Sequence, residues 1–151
     1  MQRTNNIDIK VSALGTHVPD KVLSNFDLEQ MVDTSDEWIR SRTGIEYRHI
    51  LDDDEVPSDM AVEATRKTLN KTDISEDNID LVIMATNVSD YPIPGSAPFL
   101  CKKLGLRDDV PFFDMKAGCS GFIYGIDIAS KYLMSPDYEN IIVIGLEALS
   151  R

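Results

Sequence analysis

The stretch Val110-Pro111-Phe112-Phe113-Asp114-Met115, then Lys116, then Ala117-Gly118-Cys119-Ser120-Gly121, decides how this chain folds. Its first part is short, apolar and aromatic, as a strand is. From Ser120 to about Met134 there is no proline, and apolar side chains recur with helical spacing. A strand that turns through small residues into a helix therefore carries Cys119 at the turn. A cysteine in a helix's first turn lies near unpaired backbone N–H groups and the positive end of the helix dipole, and both favour thiolate over thiol.

Outward from this turn, other apolar runs have the same character. Ile79 to Thr86 and Ile141 to Gly145 are apolar with little alternation, the pattern of parallel strands covered on both faces. A longer helix is expected from Pro57-Ser58 to before Thr72, with Met60, Ala61, Ala64, Thr68 and Leu69 on one face. A first strand is expected over Ile7–Leu14, ended by Gly15. Two short helices follow, one after Ser24-Asn25 running through Phe26, Leu28 and Met31, the other capped by Thr34-Ser35 and stopped by Gly44. Glu46 to Ile50 reads as a β-ribbon, and residues 51–55 as a solvated acidic loop. This order describes an α/β layered fold on a largely parallel mixed sheet, with a central helix after the cysteine. In that helix Gly121, Gly125 and Ala129 recur every four residues. The smooth stripe they form, flanked by Phe122, Ile123, Ile126, Ile128 and Leu133, predicts a closely packed partner layer from outside this short chain.

Composition limits the function classes. The 151 residues carry 26 acidic against 15 basic side chains, a formal net charge of −11, which argues against a nucleic-acid partner. The N-terminus lacks a signal peptide's apolar core, and no apolar run is long enough to span a bilayer, so no membrane partner and a cytoplasmic location are expected. Cys101 and Cys119 have no second Cys or His pair at ligand spacing, so no metal site is expected. Cys101, in Pro98-Phe99-Leu100-Cys101-Lys102-Lys103-Leu104, reads as a small core hydrophobe.

For Cys119 two readings stand. One is a buried structural thiol beside glycines that a tight turn requires. The other is a nucleophile, because ligands gather beyond the carboxyl ends of strands in open α/β sheets and the turn's N–H groups suit an oxyanion. Acyl transfer is the matching reaction class. The two histidines, His17 and His49, read as surface residues. The segment 33–45 is equally open: a capped helix with Trp38 in the core, or a Trp38–Arg42 pair on one helical face suited to nucleotide stacking and phosphate contact.

Together the string DTSDEWIRSRTGI at 33–45, Arg48, the AGCSGF element at 117–122 and IIVIG at 141–145 resemble the N-terminal half of β-ketoacyl-acyl-carrier-protein synthase III, a condensing enzyme of the thiolase-like superfamily. The resemblance implies a thiolase-like fold in which 1–151 is the N-terminal half. It implies that Cys119 takes an acyl group from acyl-CoA, and that decarboxylative condensation with malonyl-acyl-carrier protein then starts fatty acid synthesis. No cofactor is implied, since acyl-CoA is a substrate. Trp38 matches the family tryptophan that stacks on the CoA adenine, Arg42 and Thr34 match positions near the nucleotide, and Val88, Ile93 and Pro94 match a loop near the acyl pocket. The family's catalytic His and Asn motifs lie in the C-terminal half, so the expectation is a fragment of a longer, homodimeric synthase. Three other readings remain: a catalytically silent dimerising half-domain, a related acyl-CoA-using condensing enzyme of secondary metabolism, and a cysteine hydrolase.

Overall fold

The computed structural model describes residues 8–150, which form two compact units. The larger unit contains 8–17 and 56–147; the smaller is built mainly from 18–55.

The smaller unit begins with strand β1 (Val22–Ser24) and helix α1 (Asn25–Glu29), continues with α2 (Asp36–Thr43) and ends on β2 (Tyr47–His49), which pairs antiparallel with β1. Ser24 caps α1 in a reciprocal capping box with Asp27. The helix ends at Glu29, short of Met31. Ser35, rather than Thr34, is the N-cap of α2, accepting a hydrogen bond from the Trp38 N–H, and Gly44 closes that helix at φ 72°. The node of this unit is the fully buried Asn25. Its amide donates to Asp36 Oδ1 (2.8 Å) and the Ile45 carbonyl (2.7 Å), and its Oδ1 accepts from Arg48 (2.7 Å). Asp36, Ile45 and Arg48 are thus fold residues, each satisfying a polar group that would be costly to bury alone.

In the larger unit, α3 (Pro57–Leu69) leads to β3 (Leu81–Thr86), α4 (Ala97–Leu104), β4 (Phe112–Met115), α5 (Gly121–Tyr132) and β5 (Ile141–Leu146). The three strands form one parallel sheet ordered β4-β3-β5. Central β3 is buried along its whole length, which its unbroken apolar run requires. Leu81 and Ile83 pack with Ala129 of α5 on one face, while α3 and α4 serve the other. The antiparallel pairing lies entirely in the separate β1–β2 ribbon.

Two expectations are overturned. Residues 8–14 form no strand; Ile7 lies outside the described residues. The alternation of Ile9 and Val11 suits a strand, but a strand exists only through ladder bonds to a neighbour, and this segment enters no ladder. It instead lines an apolar groove of about 540 Å³ together with α3, α5 and β5. The second correction concerns α5. Its small-residue stripe does not await an outside layer, because a Cβ on Gly121 would lie 2.9 Å from Ala85 Cβ, and one on Gly125 2.8 Å from Val143 Cγ1. The stripe seats the helix on the chain's own sheet, and the flank that stays uncovered carries Ile123 and Tyr124. Cys101 also departs from a full core position, being only partly buried; that burial pushes its thiol up to about 11.

Candidate active site

All three strands run the same way, so their carboxyl ends share one edge of the sheet, with Ala85 opposite Met115 and Thr86 opposite Leu146. Chain leaving that edge supplies the polar groups of the site: Asn87 after β3, Gly118-Cys119 after β4 and Glu147 after β5. Such an edge is where open α/β sheets bind ligands.

Cys119 sits in a single 3₁₀ turn, Gly118–Ser120, immediately before α5, and its side chain is exposed. The expectation of a cysteine in the first α-helical turn is thereby refined by one short turn. Gly118 adopts φ +55°, a left-handed conformation that L side chains rarely take. The Gly118 N–H donates to Asn87 Oδ1 (3.4 Å), so this donor is already engaged and is not offered to an oxyanion. Asn87 in turn donates its backbone N–H (2.9 Å) and its side-chain amide (2.7 Å) to Glu147 Oε1.

The loop between β3 and α4 carries Val88, Ile93 and Pro94. Val88 is half-buried beside Thr86, whose hydroxyl donates to the Val88 carbonyl (2.9 Å). Ile93 is 88% exposed and precedes Pro94 through a cis peptide bond. Neither contributes to the 540 Å³ groove, nor does Cys119, so that groove is not where a group on Cys119 would rest. Two carboxylates anchor the loop. Asp90 accepts from the Ser58 N–H (2.8 Å), the Ser58 hydroxyl (2.5 Å) and the Ser96 hydroxyl (2.7 Å); both serines are fully buried. Asp114 of β4 accepts from the N–H groups of Ser96 (2.8 Å) and Ala97 (3.0 Å) at the start of α4. Lys103 completes the cluster through the Ser58 hydroxyl (2.7 Å) and Asp59 (2.6 Å). Burial raises the Asp59 carboxyl, but the Lys103 hydrogen bond, the Val56 N–H and the Lys103 charge outweigh it and hold the group below its ordinary range.

In the smaller unit Trp38 is 55% exposed, and the Arg42 guanidinium lies 5.2 Å from its ring centre. The core side chain of α2 is Ile39, so the reading of Trp38 as a core residue fails. An exposed aromatic plane with a cation above it is equipped for a flat, anionic ligand. Thr34 is half-buried just before the cap. The histidines are occupied elsewhere: His17 contacts Lys67 Nζ (3.2 Å), and His49 contacts the Pro19 carbonyl (2.5 Å). Among the described residues neither pairs with Cys119. No group of residues suited to a metal ion occurs among them, and none of their helices is long and apolar enough to cross a membrane.

Sequence reading gave no role to the side chains of Asn87, Asp90, Asp114 or Glu147. The signal for two of them was present, since Asn87 and Glu147 are the first charged or amide side chains after the apolar runs of β3 and β5.

A family profile described as 3-oxoacyl-[acyl-carrier-protein] synthase III matches residues 113–151, the segment holding Cys119. The β-ketoacyl-[acyl-carrier-protein] synthase III of Fusobacterium nucleatum is 46% identical over 143 residues, which are 95% of this chain and 43% of that protein. Over nearly its whole length the chain is thus similar to part of a β-ketoacyl-[acyl-carrier-protein] synthase III. The solved synthase III of Aquifex aeolicus superposes with a TM-score of 0.88 at 42% identity, covering 93% of this chain and 45% of that one. The priming β-ketosynthase of the R1128 polyketide pathway superposes with a TM-score of 0.84 at 29% identity, over 93% and 42% of the two chains. The fold is thiolase-like, and this chain spans less than half the length of the relatives it matches.

Proposed function

We propose that the chain is the acyl-accepting half of a β-ketoacyl-acyl-carrier-protein synthase III, with Cys119 as its nucleophile. The observation that carries this reading is the exposed thiol of Cys119 in a 3₁₀ turn at the carboxyl edge of the parallel sheet, opening α5. In the proposed step the Cys119 sulfur attacks the thioester carbonyl of acyl-CoA. The tetrahedral oxyanion collapses, the CoA thiolate leaves and takes up a proton, and an acyl-enzyme thioester remains. Trp38 stacks on the CoA adenine while Arg42 and Thr34 attend its nucleotide end; Val88, Ile93 and Pro94 border the acyl chain. Malonyl-acyl-carrier protein is the second substrate. Its decarboxylation and attack on the thioester draw on a histidine and an asparagine that the resemblance assigns to the C-terminal half of the family, since His17 and His49 are committed elsewhere.

The same proposal takes residues 1–151 as the first of two similar halves, in a cytoplasmic homodimer. The exposed Ile123 and Tyr124 of α5 are available for the helix-to-helix contact between halves. No cofactor enters the acylation, whose carbonyl chemistry needs only the nucleophile and hydrogen-bond donors.

Incubation with acetyl-CoA, read by intact mass, tests the proposal. An acetyl adduct that is absent in Cys119→Ala is expected; a folded protein that takes no adduct from any acyl-CoA would refute it and leave a silent half-domain. The likeness to the R1128 priming ketosynthase supports a second reading of the starter. A panel of acyl-CoAs separates the two, with acetyl expected for a fatty-acid initiator and a preference for another acyl group expected for the second reading.

A further inference from the structure

We infer that Glu147 and Asn87 are positioning residues that fix the nucleophile turn, an assignment that rests on Cys119 being the acyl acceptor. The carboxylate of Glu147 can only accept hydrogen bonds, so the Asn87 side chain must turn its nitrogen toward it. The distances agree, since Glu147 Oε1 receives both the backbone N–H (2.9 Å) and the Nδ2 (2.7 Å) of Asn87. Chemistry therefore sets the amide orientation. With Nδ2 committed to Glu147, Oδ1 is the atom left to face the turn, where it accepts the Gly118 N–H at 3.4 Å.

Gly118 is the left-handed residue immediately before Cys119, and it begins the 3₁₀ turn. Holding its N–H fixes the direction in which the chain leaves β4 and where the thiol emerges. The link to Gly118 is the longest of the three. The relay also joins the carboxyl ends of all three strands, β5 through Glu147, β3 through Asn87 and β4 through the turn, at the edge where substrate must arrive. A charged residue directly after an apolar strand has no packing reason to be there; holding Asn87 supplies one.

The purified protein and its Glu147→Ala, Asn87→Asp and Asn87→Asp/Glu147→Gln variants test the relay. The readouts are the rate of Cys119 acylation by acetyl-CoA, the rate of Cys119 alkylation by iodoacetamide, the melting temperature, and amide hydrogen exchange at Gly118. Glu147→Ala frees the Asn87 amide to rotate, and Asn87→Asp sets two carboxylates against each other. Each is expected to slow acylation roughly tenfold, the size expected for losing a charge-assisted hydrogen bond that orients a reacting group. The double variant returns a donor to face a carboxylate and is expected to recover most of the rate lost in Asn87→Asp. That reciprocal rescue would not follow from a general loss of packing. Parent rates in Glu147→Ala at an unchanged melting temperature, or a double variant no faster than Asn87→Asp, would overturn the assignment. Should the variants not fold, a Gly118 amide exchanging without protection in the parent overturns it equally. If acetyl-CoA leaves no adduct on the parent, the functional reading has failed, while alkylation rate and Gly118 exchange still judge the relay.

Discussion

Gly95→Ala should be among the most damaging single-methyl additions to the larger unit, and Gly105→Ala supplies its control. Both glycines have positive φ, 93° and 73° respectively, so both substitutions incur the left-handed cost of an L side chain, roughly 1–2 kcal/mol. At Gly105 nothing lies within 4 Å of the added Cβ, and that cost is the whole effect. At Gly95 the methyl would sit 2.6 Å from Cγ and Oδ2 of Asp114 and 2.9 Å from its Oδ1. The carboxylate cannot simply yield, because it accepts the Ser96 and Ala97 N–H groups at the start of α4. Displacing it weakens charge-assisted hydrogen bonds worth roughly 1.5–3 kcal/mol each. Gly95→Ala should therefore cost about 4 kcal/mol, against about 1.5 kcal/mol for Gly105→Ala. Urea unfolding followed by far-UV circular dichroism gives both free energies. Losses equal within about 0.5 kcal/mol, inside the scatter of such measurements, would show that Asp114 does not hold the loop against the strand, and the account of how Ile93 and Pro94 are positioned would fall with it.

The two thiols should separate cleanly in labelling. Burial raises Cys101 to about 11, so at pH 8 only about a thousandth of it is thiolate, whereas Cys119 is exposed. Brief iodoacetamide treatment of the native protein should give one adduct, mapping to Cys119, with Cys101 labelled once the chain is unfolded; equal native rates at both would contradict the burial of Cys101. Asp59 supplies a pH dependence. Its folded-state pKa is depressed, so its contribution to stability is complete above the unfolded value near 4 and is lost as pH falls through the folded value. Asp59→Asn should make the stability of the larger unit fall less steeply between about pH 5 and pH 3. The difference should be small, since the side chain is 42% exposed and its pairing with Lys103 is screened. An unchanged slope in urea unfolding across that range would remove the Lys103–Asp59 pair from the account.

Most of the sheet could be read from local pattern. Strands β3 and β5 are continuous apolar runs, β4 is bounded by Pro111 and the glycine turn, and α2 carries its own start and stop signals in Ser35 and Gly44. Failures came where structure depends on partners distant in the chain. Residues 8–14 alternate as a strand does yet find no ladder, while Val22–Ser24, three residues with no clear pattern, become a strand because Tyr47–His49 lies beside them. Trp38 and Arg42 share a face by helical spacing alone, but which face looks outward was decided by Ile39. Asp90 and Asp114 are isolated acidic residues in the sequence, and their value appears only when Ser58, Ser96 and Ala97 are brought to them from elsewhere in the chain.

The glycine stripe of α5 shows how a correct local reading can point in the wrong direction. Small residues at four-residue spacing do announce a close approach, but the periodicity does not say to what. Here the approach is inward: Gly121 meets Ala85, Gly125 meets Val143 and Ile83, and α5 lies nearer its sheet than larger side chains would allow. That closeness has a consequence for the site. Gly121 is the first residue of α5 and directly follows the turn bearing Cys119, so its contact with Ala85 ties the turn to the last residues of β3, one of which, Thr86, precedes Asn87. The thiol is thus held from two sides, by a glycine contact after it and by the Asn87–Gly118 hydrogen bond before it. A methyl at Gly121 and a rotated amide at Asn87 act on the same short turn, and their effects on Cys119 should be coupled rather than additive.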